Sequence, residues 1–234
     1  MYEAVHARPD GDATVSRLAR TAADLGYDGV VVRNHSDAKA DYDPETVAES
    51  TGVDVVDGIE IRADDPQQAS GAVGNYRGKR TVVAVDGGTN ALNRFAVEQE
   101  RVDVLAHPMA GDGDVNHVLA NAARENGVRI EFDLSRVLRA TGGRRVQALQ
   151  ALRKLREIVD HCDAPFVVSA DARSHLQLRA PRELQAVGEV IGFEPEAIEA
   201  GLREWGKIAE RTREIRSETF IEPGVERGRY EEDS

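Results

Sequence analysis

Residues 102–133 read VDVLAHPMAGDGDVNHVLANAARENGVRIEFD, and this stretch decides the fold. Val102–Ala106 is a short aliphatic run of strand character. Val115–Asn126 reads as a helix stopped by Gly127, and Val128–Asp133 as the next strand. Strand, helix and strand joined by short loops make a parallel unit. The same alternation extends in both directions. Further strands are expected at Tyr2–His6, Gly29–Arg33, Asp54–Arg62, Thr81–Asp86 and Pro165–Ser169. Val30-Val31-Val32 and Val82-Val83 are β-branched clusters of the kind found in buried parallel strands. Helices are expected at Val15–Leu25, Pro44–Thr51, Pro66–Tyr76, Ala91–Glu100 and Arg145–Cys162. Asp43-Pro44 before Gly52 pairs an N-terminal proline with a C-terminal glycine. In the last of these helices, Val146, Leu149, Leu152, Leu155, Val159 and Cys162 fall near one face.

Seven such units leave an open doubly wound sheet or a closed barrel. No Gly-x-Gly-x-x-Gly follows the first strand, so the dinucleotide fold loses its main support. The expectation is a single (β/α) TIM-like barrel of seven or eight strands. Two helices, Arg182–Ile191 and Pro195–Ile215, follow the last strand, and the second carries an apolar stripe suited to docking on the barrel. Residues 1–216 read as one domain, and residues 217–234 as an acidic, disordered tail.

Net charge is −12, with 42 acidic and 30 basic residues. Lysine occurs only at Lys39, Lys79, Lys154 and Lys207. An acidic chain ordinarily avoids phosphates. The same acid-rich, lysine-poor composition suits a halophilic cell, where molar salt cuts the screening length to about 3 Å. Local arginine geometry then says more about partners than total charge does. No apolar run spans a membrane and the N-terminus lacks a signal core, so a cytoplasmic location is expected. Cys162 is the single cysteine, which excludes an internal disulfide, and its helical position suggests a packed core thiol.

A barrel places its site at the C-terminal ends of its strands. Those ends carry His6 and Arg8, then His35, Glu60, His107-Pro108, and Asp171 with Arg173. The order resembles the metal barrels of the PHP (polymerase and histidinol phosphatase) superfamily. Their motifs are His-x-His, Asp-His, Gly-x-Glu, a later His-Pro and a closing Asp-x-His. His35, Glu60, His107 and Asp171 match the last four in turn, and His6 half of the first. The departures matter as much. The first pair keeps one histidine, Asn34 replaces an aspartate, and Arg173 replaces the closing histidine. Arginine cannot ligate a cation, but it attracts phosphate. The pattern is therefore degenerate PHP-type. His6, His35, Glu60, His107 and Asp171 are only residual metal candidates, and no catalytic residue is expected.

Longer stretches resemble the archaeal ribonuclease P protein component 3 family. They are Asp103–Pro108, Ala123–Asp133, Val167–Ala172 and Leu178–Leu184, in order along the chain. The resemblance implies a barrel that supports the catalytic RNA in cleaving precursor tRNA and that pairs with ribonuclease P protein component 2. It implies Mg²⁺ for the holoenzyme's RNA and no cofactor for the chain. The alternative is a stand-alone metal-dependent phosphoesterase with a reduced site. RNA-facing candidates are Arg8, Arg77, Lys79, Arg80, Arg144, Arg145, Arg173, Arg179 and Arg182. Arg144 and Arg145 follow two glycines in an expected loop before a helix N-terminus, where backbone amides already favour an anion. The bland reading of any one of these arginines is a surface ion pair. Aromatic residues are few and scattered, so phosphate and shape contacts are expected rather than base stacking.

Overall fold

A computed structural model of the chain describes residues 1–217 and the backbone of 220–222 and 225–226. Seven parallel strands pair in sequence order. They are β1 (Tyr2–Val5), β2 (Gly29–Val32), β3 (Asp54–Ile61), β4 (Val82–Asp86), β5 (Val104–Ala106), β6 (Arg129–Asp133) and β7 (Phe166–Ser169). A parallel bridge between Val5 and Ala172 brings the last strand back to the first, with the His6 amide donating to the Ala172 carbonyl at 2.9 Å. The barrel expected from the sequence is what forms.

Helices α1 (Val15–Asp24), α2 (Pro44–Thr51), α3 (Pro66–Tyr76), α4 (Asn90–Val97) and α5 (His117–Asn126) alternate with the strands. Each begins where the sequence supplies a cap. Thr14, Asp43, Asp65, Thr89 and Asn116 accept from the backbone amide three residues on. α6 (Ser135–Arg139) and α7 (Gly142–Cys162) follow β6, and α8 (Pro181–Ile191) and α9 (Pro195–Arg216) follow β7.

Alternation along each strand sorts the core into two layers. Val30, Val32, Ile59, Ile61, Val83, Val85, Leu105, Ile130 and Phe132 face outward and are covered by the helices. Ala4, Val31, Val56, Val82, Ala84, Val104, Ala106 and Val167 face the barrel interior. The inner set is small because seven strands enclose little space. Trp205, Ile208 and Ala209 of α9 join that inner layer from below. The Trp205 indole is completely buried and donates to the Val168 carbonyl at 2.9 Å. α9 can come this close because of Gly206, where a Cβ would lie 2.6 Å from the Tyr2 ring. So α9 closes the N-terminal end of the barrel and leaves the other end open.

The β1–β7 seam has a side-chain stitch. Buried Glu3 accepts from the Ala170 amide at 2.9 Å and from the Tyr27 hydroxyl at 3.2 Å. Burial pushes its carboxyl up to about 8, against the opposing pull of those donors and of Arg33. A folded pKa above the unfolded 4.5 means the native state holds the proton more tightly. That stabilisation is complete below the unfolded pKa and is lost as pH rises through the folded one. Denaturant titrations of wild type and Glu3→Gln at about pH 5 and about pH 8 should show the wild type losing a few kcal/mol relative to the variant. Equal pH dependence in both would refute the assignment.

Several local expectations change. α6 was not anticipated. Residues Gly142–Arg145 form the first turn of α7, not a loop. The helix starts early because Thr141 already has the extended conformation of a cap residue. Val146 is exposed, whereas Leu152, Leu155, Val159 and Cys162 are buried as expected. The expected tail at 217–234 lies largely outside the described residues; within it Phe220–Glu222 and Val225–Glu226 pair antiparallel. Among the described residues, no helix is long and apolar enough to cross a membrane.

Candidate functional site

The open end of the barrel gathers the residues that follow the strands. His6, after β1, is fully buried. Its Nδ1 lies 2.7 Å from Asp10 Oδ2 and its Nε2 2.9 Å from Asp171 Oδ1. His35, after β2, stacks on the His6 ring at 4.9 Å between centroids. His35 Nδ1 reaches the same Asp10 oxygen at 2.7 Å, and its Nε2 reaches Glu60 Oε1 at 3.1 Å. His107, after β5, lies 3.1 Å from Asp86 Oδ1 and 3.5 Å from Glu60 Oε1. All five expected histidines and carboxylates therefore converge. His107 and Asp171 hold left-handed backbone conformations, φ 46° and 44°. Aspartate and histidine enter this region more readily than most non-glycine residues.

The centre of the cluster is taken by Arg33. It is fully buried. One terminal nitrogen lies 2.9 Å from Glu60 Oε2; the other lies 2.6 Å from Glu131 Oε1 and 3.4 Å from Asp171 Oδ1. Ser169 donates to the same Glu131 oxygen at 2.6 Å. The guanidinium carbon sits 5.5 Å from the Trp205 ring centroid. Indole below and carboxylates above fix the cation from both sides.

The electrostatics follow from these contacts. Burial opposes the charge on Arg33, but Glu131, Glu60 and Asp171 more than restore it and raise its pKa. Glu60 is desolvated, yet Arg33, His107 and the His35 hydrogen bond hold it well below the usual carboxylate range. Burial works against protonation of His35, and its bonds to Asp10 and Glu60 outweigh burial and lift it to about 9. His107 is raised well above its ordinary value, with the charge of Glu60 overcoming burial. Asp133 is pushed up by burial and by its acidic neighbours.

Two triads have geometry open to a cation: His6–Asp10–His35 and His35–Glu60–Asp86. A multinuclear metal centre does not fit the whole. Glu60 and Asp171 are already bound by the Arg33 guanidinium, which carries positive charge and offers no lone pair. A two-metal mechanism needs ions about 3.5–4 Å apart, and the buried Arg33 charge bound to Glu60 and Asp171 opposes further cations beside it.

The other departures also have physical meaning. Asn34 accepts from the Ala7 amide at 2.8 Å and donates to the Ala7 carbonyl at 2.6 Å. An aspartate has no donor for the second bond, so asparagine here clamps a backbone. Arg173 leans over the cluster, 3.3 Å from Asp10 and 3.8 Å from Asp171. The sequence reading missed Arg33, Asp10, Asp86, Glu131 and Asp133. Alternation from Val31 through Arg33 to His35 carried the signal for Arg33, and Glu131 and Asp133 alternate likewise on β6. Asp10 comes from a loop and had no periodic signal.

The expected RNA-facing residues do not form one surface. Arg8, Arg144, Arg145, Arg173, Arg179 and Arg182 lie in connections that follow strands, on the open side. Arg77, Lys79 and Arg80 precede β4, at the opposite end. Arg77 pairs with Asp103 at 2.6 Å, Arg80 pairs with Asp57, and Lys79 donates to Asn75 at 2.6 Å. Arg179 donates to the Leu176 and Leu178 carbonyls, Arg8 to that of Asp12, and Arg145 to that of Ala140. Among the described residues, the Arg144 and Arg182 side chains are without a partner.

Comparison with known proteins gives a consistent picture. The family model described as RNase P subunit p30 matches residues 1–217. Ribonuclease P protein component 3 of Haloarcula marismortui is 63% identical over 234 residues, covering 100% of this chain and 98% of that protein. A cryo-EM structure of archaeal ribonuclease P with mature tRNA contains a chain of the same fold, at a TM-score of 0.83 and 24% identity with full coverage of both. Histidinol phosphate phosphatase from Lactococcus lactis, complexed with zinc, L-histidinol and phosphate, shares the barrel at a TM-score of 0.56 and 11% identity, over 82% of this chain and 94% of that one.

Proposed function

The chain belongs to the RNase P subunit p30 family, and from that premise we propose that it serves ribonuclease P as a structural subunit that supplies no hydrolytic chemistry of its own. The holoenzyme is the endoribonuclease that removes the 5′ leader of precursor tRNA. The observation that carries the second half of the reading is Arg33. Its buried guanidinium binds Glu60, Glu131 and Asp171, carboxylates that a metal-dependent phosphoesterase would turn toward cations. The fold keeps the walls of a hydrolytic pocket and neutralises them internally. Arg33, with His35 and His107, supplies the positive charge the buried carboxylates require. Mg²⁺ then serves the RNA, and the chain needs no cofactor. Its partners are the ribonuclease P RNA, precursor tRNA and a second protein subunit, component 2. The working place is the cytoplasm.

Reconstitution tests this. Purified chain alone should leave precursor tRNA uncleaved and should not turn over a small phosphomonoester in Mn²⁺. Added with component 2 to the RNA, it should raise cleavage at limiting Mg²⁺. If omitting it changed nothing across a Mg²⁺ titration, the subunit role would fail. Turnover of the phosphomonoester that His107→Ala abolished would restore the phosphoesterase reading.

A further inference from the structure

The closed end of the barrel has a concavity of its own. A groove of about 620 Å³ runs between the connections entering β4, β5 and β6 and the last turns of α9. Arg77, Arg101, Arg124, Arg129, Arg211 and Arg216 line it against three carboxylates. That is a local excess of three positive charges on a chain whose net charge is −12. A second, shallower depression of about 460 Å³ shares Arg124, but Asp163 and Glu204 line it, so the excess of positive charge stays with the first.

The arginines divide into two kinds. Four are anchored. Arg77 holds Asp103 at 2.6 Å, and Arg129 grips Glu204 through two nitrogens at 3.1 and 2.9 Å. Arg124 donates to the Cys162 carbonyl at 2.8 Å, and Arg216 to the Arg77 and Arg80 carbonyls. Arg101 and Arg211 are exposed, and neither side chain makes a hydrogen bond or ion pair among the described residues. Positive charge here is undercompensated: burial first, then the neighbouring Arg77 charge, pushes Arg216 below its ordinary value. Arg144 and Arg182 are unpartnered too; what sets this place apart is that two free guanidiniums lie in one concavity with four more arginines and only three carboxylates.

We infer that this groove holds the phosphodiester backbone of a folded RNA segment, with Arg101 and Arg211 as its direct phosphate donors. The inference rests on the subunit role proposed above. Ile215 is the one large apolar side chain of the lining that is exposed, whereas protein interfaces are built on an apolar and aromatic core. No aromatic ring lines the groove for base stacking, so contact is to phosphate and shape. Guanidinium groups suit that contact because their paired N–H groups match phosphate oxygens.

The test uses the full chain with its partner protein and ribonuclease P RNA as the probe. RNA affinity is measured over a salt series for wild type, Arg101→Ala/Arg211→Ala and Arg101→Lys/Arg211→Lys, with thermal melts confirming each fold. The alanine variant should bind about tenfold more weakly, and its log–log salt slope should be shallower by about two. The lysine variant should keep the slope. Unchanged RNA affinity in the alanine variant, with wild type still supporting cleavage, overturns the groove assignment and leaves the subunit role standing. Lost binding to the partner protein with RNA affinity intact also overturns it, in favour of a protein-docking surface. If wild-type chain has no effect on cleavage, the role and the groove fall together.

Discussion

Arg33→Ala should destabilise the protein by about 3–5 kcal/mol, the range for breaking a buried ion pair by removing one partner. In a chain of this size that lowers the midpoint of thermal unfolding by roughly 6–20 °C. The cause is the arrangement left behind. Glu60 and Glu131 are fully buried and Asp171 nearly so, and all lie within 3.4 Å of the guanidinium. Without it they repel one another in a region that water does not reach. Calorimetry or chemical denaturation measures the loss. A double-mutant cycle with Glu131→Gln separates ion pairing from packing. The Glu131 substitution should cost clearly less on the Arg33→Ala background than on wild type. Additive effects, or a loss below about 1 kcal/mol, would mean that the guanidinium does not hold the cluster together.

Trp205→Ala should cost about 3–5 kcal/mol. The indole is the largest fully buried side chain and fills the barrel floor. Its removal opens a cavity among Ala4, Val31, Val56, Val82 and Val104, residues too small to collapse into it. It also strands the Val168 carbonyl and takes away the ring beneath Arg33. Trp205→Phe separates these effects: it restores most of the volume and the aromatic face but not the hydrogen bond, so its cost should fall near that of one buried bond, about 1 kcal/mol. Equal losses for phenylalanine and alanine would show that volume is not what the floor requires.

The barrel was legible because its strands are buried on both faces, which makes them continuous aliphatic runs, and because helix caps such as Asp43 and Asp65 are local signals. α6 was not legible, since Ser135–Arg139 is too short for a periodicity to develop. In the site, strand-end position alone brought His6, His35, Glu60, His107 and Asp171 together. Arg33 escaped because charge at a strand end reads as surface; only the face shared with Val31 places it inside. Asp10 depends on a loop folding back over two histidines, and no linear pattern encodes that. The arginine groove was only touched, at Arg77. Its remaining lining comes from the approaches to β5 and β6 and from a helix far along the chain, so it exists only once the barrel has formed.

The position of α9 in the sequence governs the order of events during synthesis. All seven barrel strands precede Pro195, so the ribosome delivers the whole ring before the piece that seals it. Until Trp205 arrives, the lumen is an uncapped cup of valines and alanines with Arg33 lacking its aromatic base. Nascent chains that stall before this helix therefore expose an apolar lumen, and they lack Arg211 and Arg216 of the groove.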